Sequence, residues 1–212
     1  VEYARSLEKE HNKVFRFTIT TNGVLLNDET IEYINREMSN VVLSLDGRQP
    51  VNDRMRPTVN GKGSYEVIVP KFQKLVAGRG TKDYYVRGTF TRDNLDFSQD
   101  VLHMGDLGFR HVSVEPASGP LDDPFAIKEE DLEKVEAEYE KLAGQLMERP
   151  DINFFHFNVD LAQGPCVIKR LRGCGAGCEY VAITPDGDIY PCHQFVGKEE
   201  YRMGNVFDGS FD

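Results

Sequence analysis

Short strand-like stretches and amphipathic helical stretches alternate five times along the first three quarters of the chain, and this alternation most constrains the fold. The strands are predicted at residues 14–20, 41–45, 83–90, 110–115 and 152–159. The helices are predicted at residues 1–13, 29–38, 64–77, 97–108 and 128–148. Alternation at this spacing predicts βαβ units, and therefore an α/β fold with parallel strands and right-handed crossovers. The second strand is a continuous apolar run, which is typical of a strand buried on both faces.

The composition changes after residue 161. Residues 162–212 are richer in glycine, proline and cysteine, and their helical periodicity ends. Asp186-Gly187 separates two short apolar runs, which is a strong signal for a β-hairpin. We therefore predict an α/β domain over residues 1–161 and a small loop-and-hairpin module over residues 162–212.

All four cysteines of the chain lie in this module. They are Cys166, Cys174, Cys178 and Cys192. The predicted hairpin carries the last cysteine back towards the two before it, and glycines beside those two let the backbone approach a metal closely. The pattern predicts a thiolate metal site, with an iron–sulfur cluster favoured over zinc. Free cysteines also pack as small hydrophobic residues, but scattered packing would not explain the clustering. Disulfides are disfavoured because nothing resembles a secretion signal.

Polar residues at the predicted strand ends are candidates for a ligand site, because parallel α/β folds bind ligands at the carboxyl ends of their strands. Asp46 could accept a hydrogen bond from a hydroxyl or an ammonium group, and Arg87 could pair bidentately with a carboxylate. The alternatives are a turn residue for Asp46, an internal ion pair for Arg87 and a packed core histidine for His156. A loop predicted at residues 48–63 is long enough to be functional.

The net charge is −10. Nucleic acids and anionic membranes need a basic protein face, so neither is expected as a partner. No apolar stretch is long enough to span a bilayer, and the expected location is the cytoplasm.

Several motifs resemble those of radical S-adenosylmethionine (SAM) enzymes with a C-terminal SPASM domain. They are FTITTNG at 17–23, VLSLDG at 42–47, DRMRPTVNGKGSYE at 53–66, YYVRGTFTRDNLDFS at 84–98, VSVEP at 112–116 and GCGAGCEYVAITPDGDIYPCHQFVG at 173–197. The spacing Cys174, twelve residues, Gly187, four residues, Cys192 is similar to the opening signature of SPASM domains. The resemblance covers essentially the whole chain and is strongest to the maturases that form thioether crosslinks in SCIFF peptides, which are cysteine-rich and ribosomally made.

The resemblance implies a partial (β/α) barrel and a set of cofactor-binding residues. SAM is expected to contact Ser44 and Asp46, to place its methionine carboxylate against Arg87, and to place its adenine against the strand end that carries Glu115. The resemblance further implies that Cys174 and Cys192 bind the first auxiliary [4Fe–4S] cluster. Cys166 and Cys178 are additional candidate ligands.

The chain also departs from the family pattern. It has no Cys-x-x-x-Cys-x-x-Cys motif, because Val181 follows Cys174 and Cys178 where a third cysteine would stand. It also lacks the Gly-Gly-Glu motif, and His193 follows Cys192 where related enzymes have an aspartate. We therefore expect a fragment of a peptide-modifying enzyme that is inactive alone.

The expected partner of the parent enzyme is a cysteine-rich precursor peptide. Self-association through an exposed sheet edge is also expected. The alternative function is a non-catalytic α/β module that binds zinc or a peptide.

Overall fold

The computed structural model describes residues 1–120, 122–158 and 173–211. The chain forms two compact units, Val1–Asn158 and Val159–Asp212. The boundary predicted between residues 161 and 162 lies outside the described residues and stays a prediction.

The first unit is built on five parallel strands in sequential order. They are β1 (Thr18–Thr21), β2 (Asn40–Ser44), β3 (Asp83–Phe90), β4 (His111–Pro116) and β5 (Asn153–Phe154). The helices are α1 (Glu2–His11), α2 (Asp28–Glu37), α3 (Gln49–Met55), α4 (Tyr65–Ala77), α5 (Ser98–Asp106) and α6 (Leu132–Met147). The predicted α/β class and the parallel sheet are confirmed.

One face of this sheet packs on helices and forms the core. Val41 and Leu43 of β2 are fully buried there, together with Phe72 of α4 and Met104 of α5. Alternate residues of β2 are only half-buried on the other face. The prediction that β2 is buried on both faces is therefore wrong. The apolar run of β2 is continuous because both faces of the strand carry apolar side chains. Val42 lines an open cavity on the face away from the helices, and Val41 and Leu43 fill the core.

Three local predictions differ from the structure. Residues 14–17 alternate like a strand, but pairing of β1 with β2 begins at Thr18. The strand predicted over residues 152–159 is described up to residue 158; this part pairs at two residues only and continues as a 3₁₀ turn, Phe155–Phe157. The loop predicted at residues 48–63 contains helix α3, which has Pro50 in its first turn, where the missing N–H has no helical partner to lose.

The described part of the second unit is a four-stranded antiparallel sheet. Its strands are β6 (Ala182–Ile183), β7 (Asp188–Tyr190), β8 (Gly204–Asn205) and β9 (Ser210–Phe211). The predicted hairpin is confirmed as the β6–β7 pair. Its turn needs Gly187, which has a φ of +84° and donates its N–H to the Thr184 carbonyl over 2.9 Å.

Among the described residues, no helix combines the length and the apolar character needed to cross a membrane.

Candidate functional site

The face of the parallel sheet opposite the helices carries a mixture of polar and aromatic side chains. They surround an open cavity of about 360 Å³, which we call the open-face cavity. Its lining includes Asn40, Tyr85, Arg87, Ser113, Glu115 and Phe155. The register of the parallel strands places Ser44 beside Arg87 and Arg87 beside Ser113. Three of the four residues predicted to bind SAM, namely Ser44, Arg87 and Glu115, therefore lie together on this face.

Arg87 forms a bidentate ion pair with Glu115. Arg87 Nε donates to Glu115 Oε1 over 3.1 Å, and Arg87 Nη2 donates to Glu115 Oε2. The Ser113 hydroxyl donates to the same Oε1 over 3.3 Å. Both partners keep solvent contact, because the Arg87 side chain is 53% exposed and the Glu115 side chain 34%. Arg87 thus binds a carboxylate as its chemistry predicts, and that carboxylate belongs to the protein.

Asp46 lies just beyond the end of β2 and is buried, with 2% of its surface exposed. Arg56 donates to it from Nε over 2.7 Å and from Nη2 over 3.0 Å. The backbone N–H of Thr89 donates to Asp46 Oδ1 over 3.0 Å. Because pairing between β2 and β3 ends at Ser44, the Asp46 carboxylate extends the hydrogen bonding of the sheet by one more step. Both of its oxygens are used within the protein, and its contact with SAM stays a prediction.

The loop that follows β2 is fixed by a buried carboxylate that sequence reasoning missed. Asp100, on α5, is fully buried and accepts from Arg48 Nε over 2.7 Å and from the Arg48 backbone N–H over 2.9 Å. Hydrogen bonding to Asp100 raises the pKa of Arg48 above its usual value. Gly47 has a φ of +126°, and a Cβ there would lie 2.3 Å from the Asp100 Cβ. The Asp-Gly-Arg sequence after a buried strand was the available signal for this arrangement.

His156 is half-buried and packs against Phe154 and Tyr139, in agreement with its interpretation as a packed histidine. Its Nδ1 lies 3.2 Å from the Tyr139 hydroxyl. Burial lowers the pKa of His156, and the Glu115 carboxylate opposes that effect.

In the second unit, the Tyr180 hydroxyl contacts one of the cysteines. It donates to Cys174 Sγ over 3.7 Å. A backbone hydrogen bond from Ala176 and this contact lower the pKa of the Cys174 thiol, which favours the thiolate that binds metals. The thiolates of Cys174 and Cys192 both contribute to a raised pKa of Tyr180. Among the described residues, direct contact with this hydroxyl is shown for Cys174, and Cys192 acts on it through its charge.

Backbone contacts hold this arrangement in place. The Gly177 N–H is shared between the Tyr180 carbonyl, at 2.9 Å, and the carbonyl of Pro191, at 3.0 Å. Since Pro191 directly precedes Cys192, the glycine-rich turn is joined to the strand end that carries the second thiol.

The other two cysteines do not complete this site within the described residues. Cys178 is exposed and lines an open cavity with Tyr201 and Met203. Cys166 lies outside the described residues. Over residues 1–120, 122–158 and 173–211, no three His, Cys, Asp or Glu side chains are grouped closely enough to hold a metal ion. The donor chemistry of Cys174 and Cys192 fits an iron–sulfur cluster, whereas the complete ligand set stays a prediction.

Comparison with protein families and curated proteins supports the resemblance. Residues 174–212 match SPASM, described as an iron-sulfur cluster-binding domain. The chain is 23% identical to the cysteine-type anaerobic sulfatase-maturating enzyme of Clostridium novyi (strain NT), over 100% of this chain and 58% of that protein. It is 30% identical to the mycofactocin maturase MftC of Mycobacterium ulcerans (strain Agy99), over 100% of this chain and 55% of that protein. The chain thus spans about half the length of these relatives.

Solved structures give the same fold. The anSMEcpe structure with bound AdoMet has a TM-score of 0.76 at 17% identity, covering 99% of this chain and 60% of that one. Streptococcus suis SuiB has a TM-score of 0.63 at 18% identity, covering 98% and 49%. The predicted fold class is confirmed, as is the resemblance to maturases with a SPASM domain; the closer resemblance to SCIFF maturases stays a prediction.

Proposed function

We propose that this chain is part of a radical SAM/SPASM maturase that modifies a peptide or protein. The observation that carries the proposal is the hydrogen bond that joins the glycine-rich turn beside Cys174 to Pro191, the residue before Cys192, inside the residues that match the SPASM domain. The parallel sheet that precedes this unit in the chain supports it, since the same fold occurs in a structure with bound AdoMet.

In this proposal SAM binds at the open-face cavity. Arg87 offers a planar set of donors to the methionine carboxylate. Ser44 lies beside Arg87 on the same face and offers a hydroxyl, and the main chain of residues 114–116 offers hydrogen-bonding groups at the adjacent strand end. Asp46 acts by fixing the end of β2, because its oxygens are engaged by Arg56 and Thr89.

The proposed auxiliary [4Fe–4S] cluster is held by Cys174 and Cys192, with Cys166 and Cys178 as further candidate ligands. In the parent enzyme, SAM and a reduced cluster would supply a hydrogen-abstracting radical, and the auxiliary cluster in its oxidised form would accept an electron. The lowered pKa of Cys174 favours the thiolate, which is the form that binds metals.

The proposed substrate is a cysteine-rich precursor peptide in which a thioether joins a cysteine sulfur to carbon. The resemblance of the motifs to those of SCIFF maturases supports this class. The 25% identity to the antilisterial bacteriocin subtilosin biosynthesis protein AlbA of Bacillus subtilis (strain 168), over 94% of this chain and 42% of that protein, supports a role in peptide biosynthesis. Because residues 1–212 contain no Cys-x-x-x-Cys-x-x-Cys motif, we expect no SAM cleavage by this chain alone.

Anaerobic reconstitution with iron and sulfide tests the cluster assignment. We expect broad visible charge-transfer absorption, and we expect it to be lost in Cys174→Ser and in Cys192→Ser. Cys178→Ser then shows whether the exposed thiol of Cys178 belongs to the same centre. Stoichiometric zinc binding without that absorption would instead favour the alternative, a non-catalytic zinc- or peptide-binding module.

A further inference from the structure

We propose that Glu115 is a built-in competitor for the ligand carboxylate, which must displace it from Arg87 in order to bind at the open-face cavity. The inference rests on the proposed function and deepens it, because it assigns a control on ligand entry to the same site. It also assigns the Glu115 side chain a role separate from the adenine contact expected of the main chain around it.

The geometry of the pair supports competition. Arg87 and Glu115 come from neighbouring parallel strands, and each lines the open-face cavity. Nε and Nη2 of Arg87, which form one edge of the guanidinium, point at the two oxygens of Glu115. A guanidinium edge binds one carboxylate in this bidentate manner. A second carboxylate must therefore take that edge from Glu115 or bind elsewhere on Arg87, next to a like charge.

Displacement is feasible because Glu115 would not be left in an apolar environment. Its side chain is 34% exposed, and the Ser113 hydroxyl already donates to it. Its charge also reaches the neighbouring polar pair, where it contributes to a raised pKa of Tyr139 and opposes the lowering of the pKa of His156. Water and the Ser113 hydroxyl can hold the released carboxylate, so the exchange does not create an unpaired buried charge.

The consequence is selectivity for ligands that carry a carboxylate. Such a ligand replaces the interaction that it breaks, because it offers Arg87 an equivalent partner. A ligand without a carboxylate leaves the Arg87–Glu115 pair intact and gains nothing from Arg87. The pair therefore holds Arg87 in place before binding and lowers the affinity for the ligand by the cost of the exchange.

Equilibrium dialysis with the full chain tests this role. The probes are SAM and 5′-methylthioadenosine, which keeps the adenosine but has no carboxylate. Glu115→Gln replaces the charged competitor by a neutral side chain of the same shape. Because the pair is partly exposed, we expect the Kd for SAM to fall about two- to fivefold and the Kd for 5′-methylthioadenosine to stay unchanged. An unchanged or higher Kd for SAM would overturn the proposal.

Two further variants make the result specific. Asp106 lies on helix α5, and its exposed carboxylate pairs with Arg149. We expect Asp106→Asn, which removes that carboxylate, to change neither Kd. In an Arg87→Gln background, Glu115→Gln should no longer improve SAM binding. A gain that persists without Arg87 would show that the effect is a general change in charge, and would also overturn the proposal.

The Nε–H resonance of Arg87 in an ¹⁵N NMR spectrum separates the inference from the proposed function. We expect Glu115→Gln and SAM each to shift this signal, which is assigned by its absence in Arg87→Gln. If SAM binds the unsubstituted chain and the variant with the same Kd, the SAM site stands and only the role of Glu115 fails. If SAM binds neither protein and shifts no signal, the proposed SAM site fails and the competition fails with it.

Discussion

Substitution of Asp46 by Asn separates a structural role from a ligand-binding role at the end of β2. The carboxylate accepts two hydrogen bonds from Arg56 and one from the Thr89 backbone N–H. Asparagine keeps one oxygen, which can still serve Thr89. Its amide group then presents N–H donors to Arg56, so the guanidinium loses its charged partner and faces other donors.

The expected loss of stability follows from the burial of the two partners. Removal of one partner from a buried ion pair costs about 3–5 kcal/mol, because the other charge is left uncompensated. Asp46 is nearly inaccessible, but the Arg56 side chain is 32% exposed and can recover part of its hydration. We therefore expect Asp46→Asn to lower the free energy of unfolding by about 2–3 kcal/mol, after discounting the buried-pair figure for this exposure. For a domain of this size that corresponds to a fall in Tm of roughly 4–12 °C.

Urea unfolding followed by circular dichroism measures this effect as a shift in midpoint at constant slope. Asp106→Asn is the matched control, and its unfolding free energy should stay within about 0.5 kcal/mol of the parent chain. A double-mutant cycle with Arg56→Gln should show that the two substitutions are coupled. If Asp46→Asn unfolds like the parent but no longer binds SAM, Asp46 is a ligand contact and the structural argument is wrong.

Three further predictions concern packing, pH and the thiol site. Gly88→Ala should destabilise the chain by about 1–3 kcal/mol in the same urea assay. A Cβ at this position would lie 2.7 Å from the Leu45 carbonyl oxygen and 3.0 Å from the Asp46 Cα, just beyond the end of β2. Unchanged stability would contradict that close approach. Burial lowers the pKa of His103 and of His156, so their contribution to stability is complete above pH 6.5 and is lost as the pH falls through the lowered values. Unfolding midpoints should therefore decline from pH 7.5 to 5.5, and less so after substitution of both histidines by glutamine. Tyr180→Phe removes the hydroxyl that donates to Cys174, so the pKa of the Cys174 thiol should rise. Alkylation of Cys174 by iodoacetamide near neutral pH should then slow. An equal rate would show that the contact is not formed in solution.

The strands of the parallel sheet could be predicted because β-branched and aromatic runs fill its helix-covered face. Their ends could not be predicted equally well, because pairing depends on the neighbouring strand. Residues 14–17 alternate as a strand does but lie outside the register of β1 with β2, which starts at Thr18. At the other edge, the predicted fifth strand pairs at Asn153 and Phe154 before the chain turns into a 3₁₀ helix. Helix α3, in contrast, carried a readable signal in Pro50.

The hairpin of the second unit was predicted for a local reason. A four-residue turn that ends in a glycine with positive φ fixes the register of the two strands that flank it. The hydrogen bond from the Gly177 N–H to the Pro191 carbonyl, beside Cys192, depends on that register, so the approach of the glycine-rich turn to this end of the hairpin follows from local sequence.

Asp46 and Glu115 show why the strand-end residues could be found from sequence but not assigned. Each is a carboxylate at the end of a parallel strand, and each pairs bidentately with an arginine. The two carboxylates differ in burial. Asp46 is buried and paired with Arg56, whereas Glu115 lines the open-face cavity. Breaking the buried Asp46–Arg56 pair leaves a charge uncompensated. Exchanging partners in the exposed Arg87–Glu115 pair costs little. An entering carboxylate should therefore exchange with Glu115 and leave Asp46 in place, so that one strand end is a fixed support and the next is the site of ligand exchange.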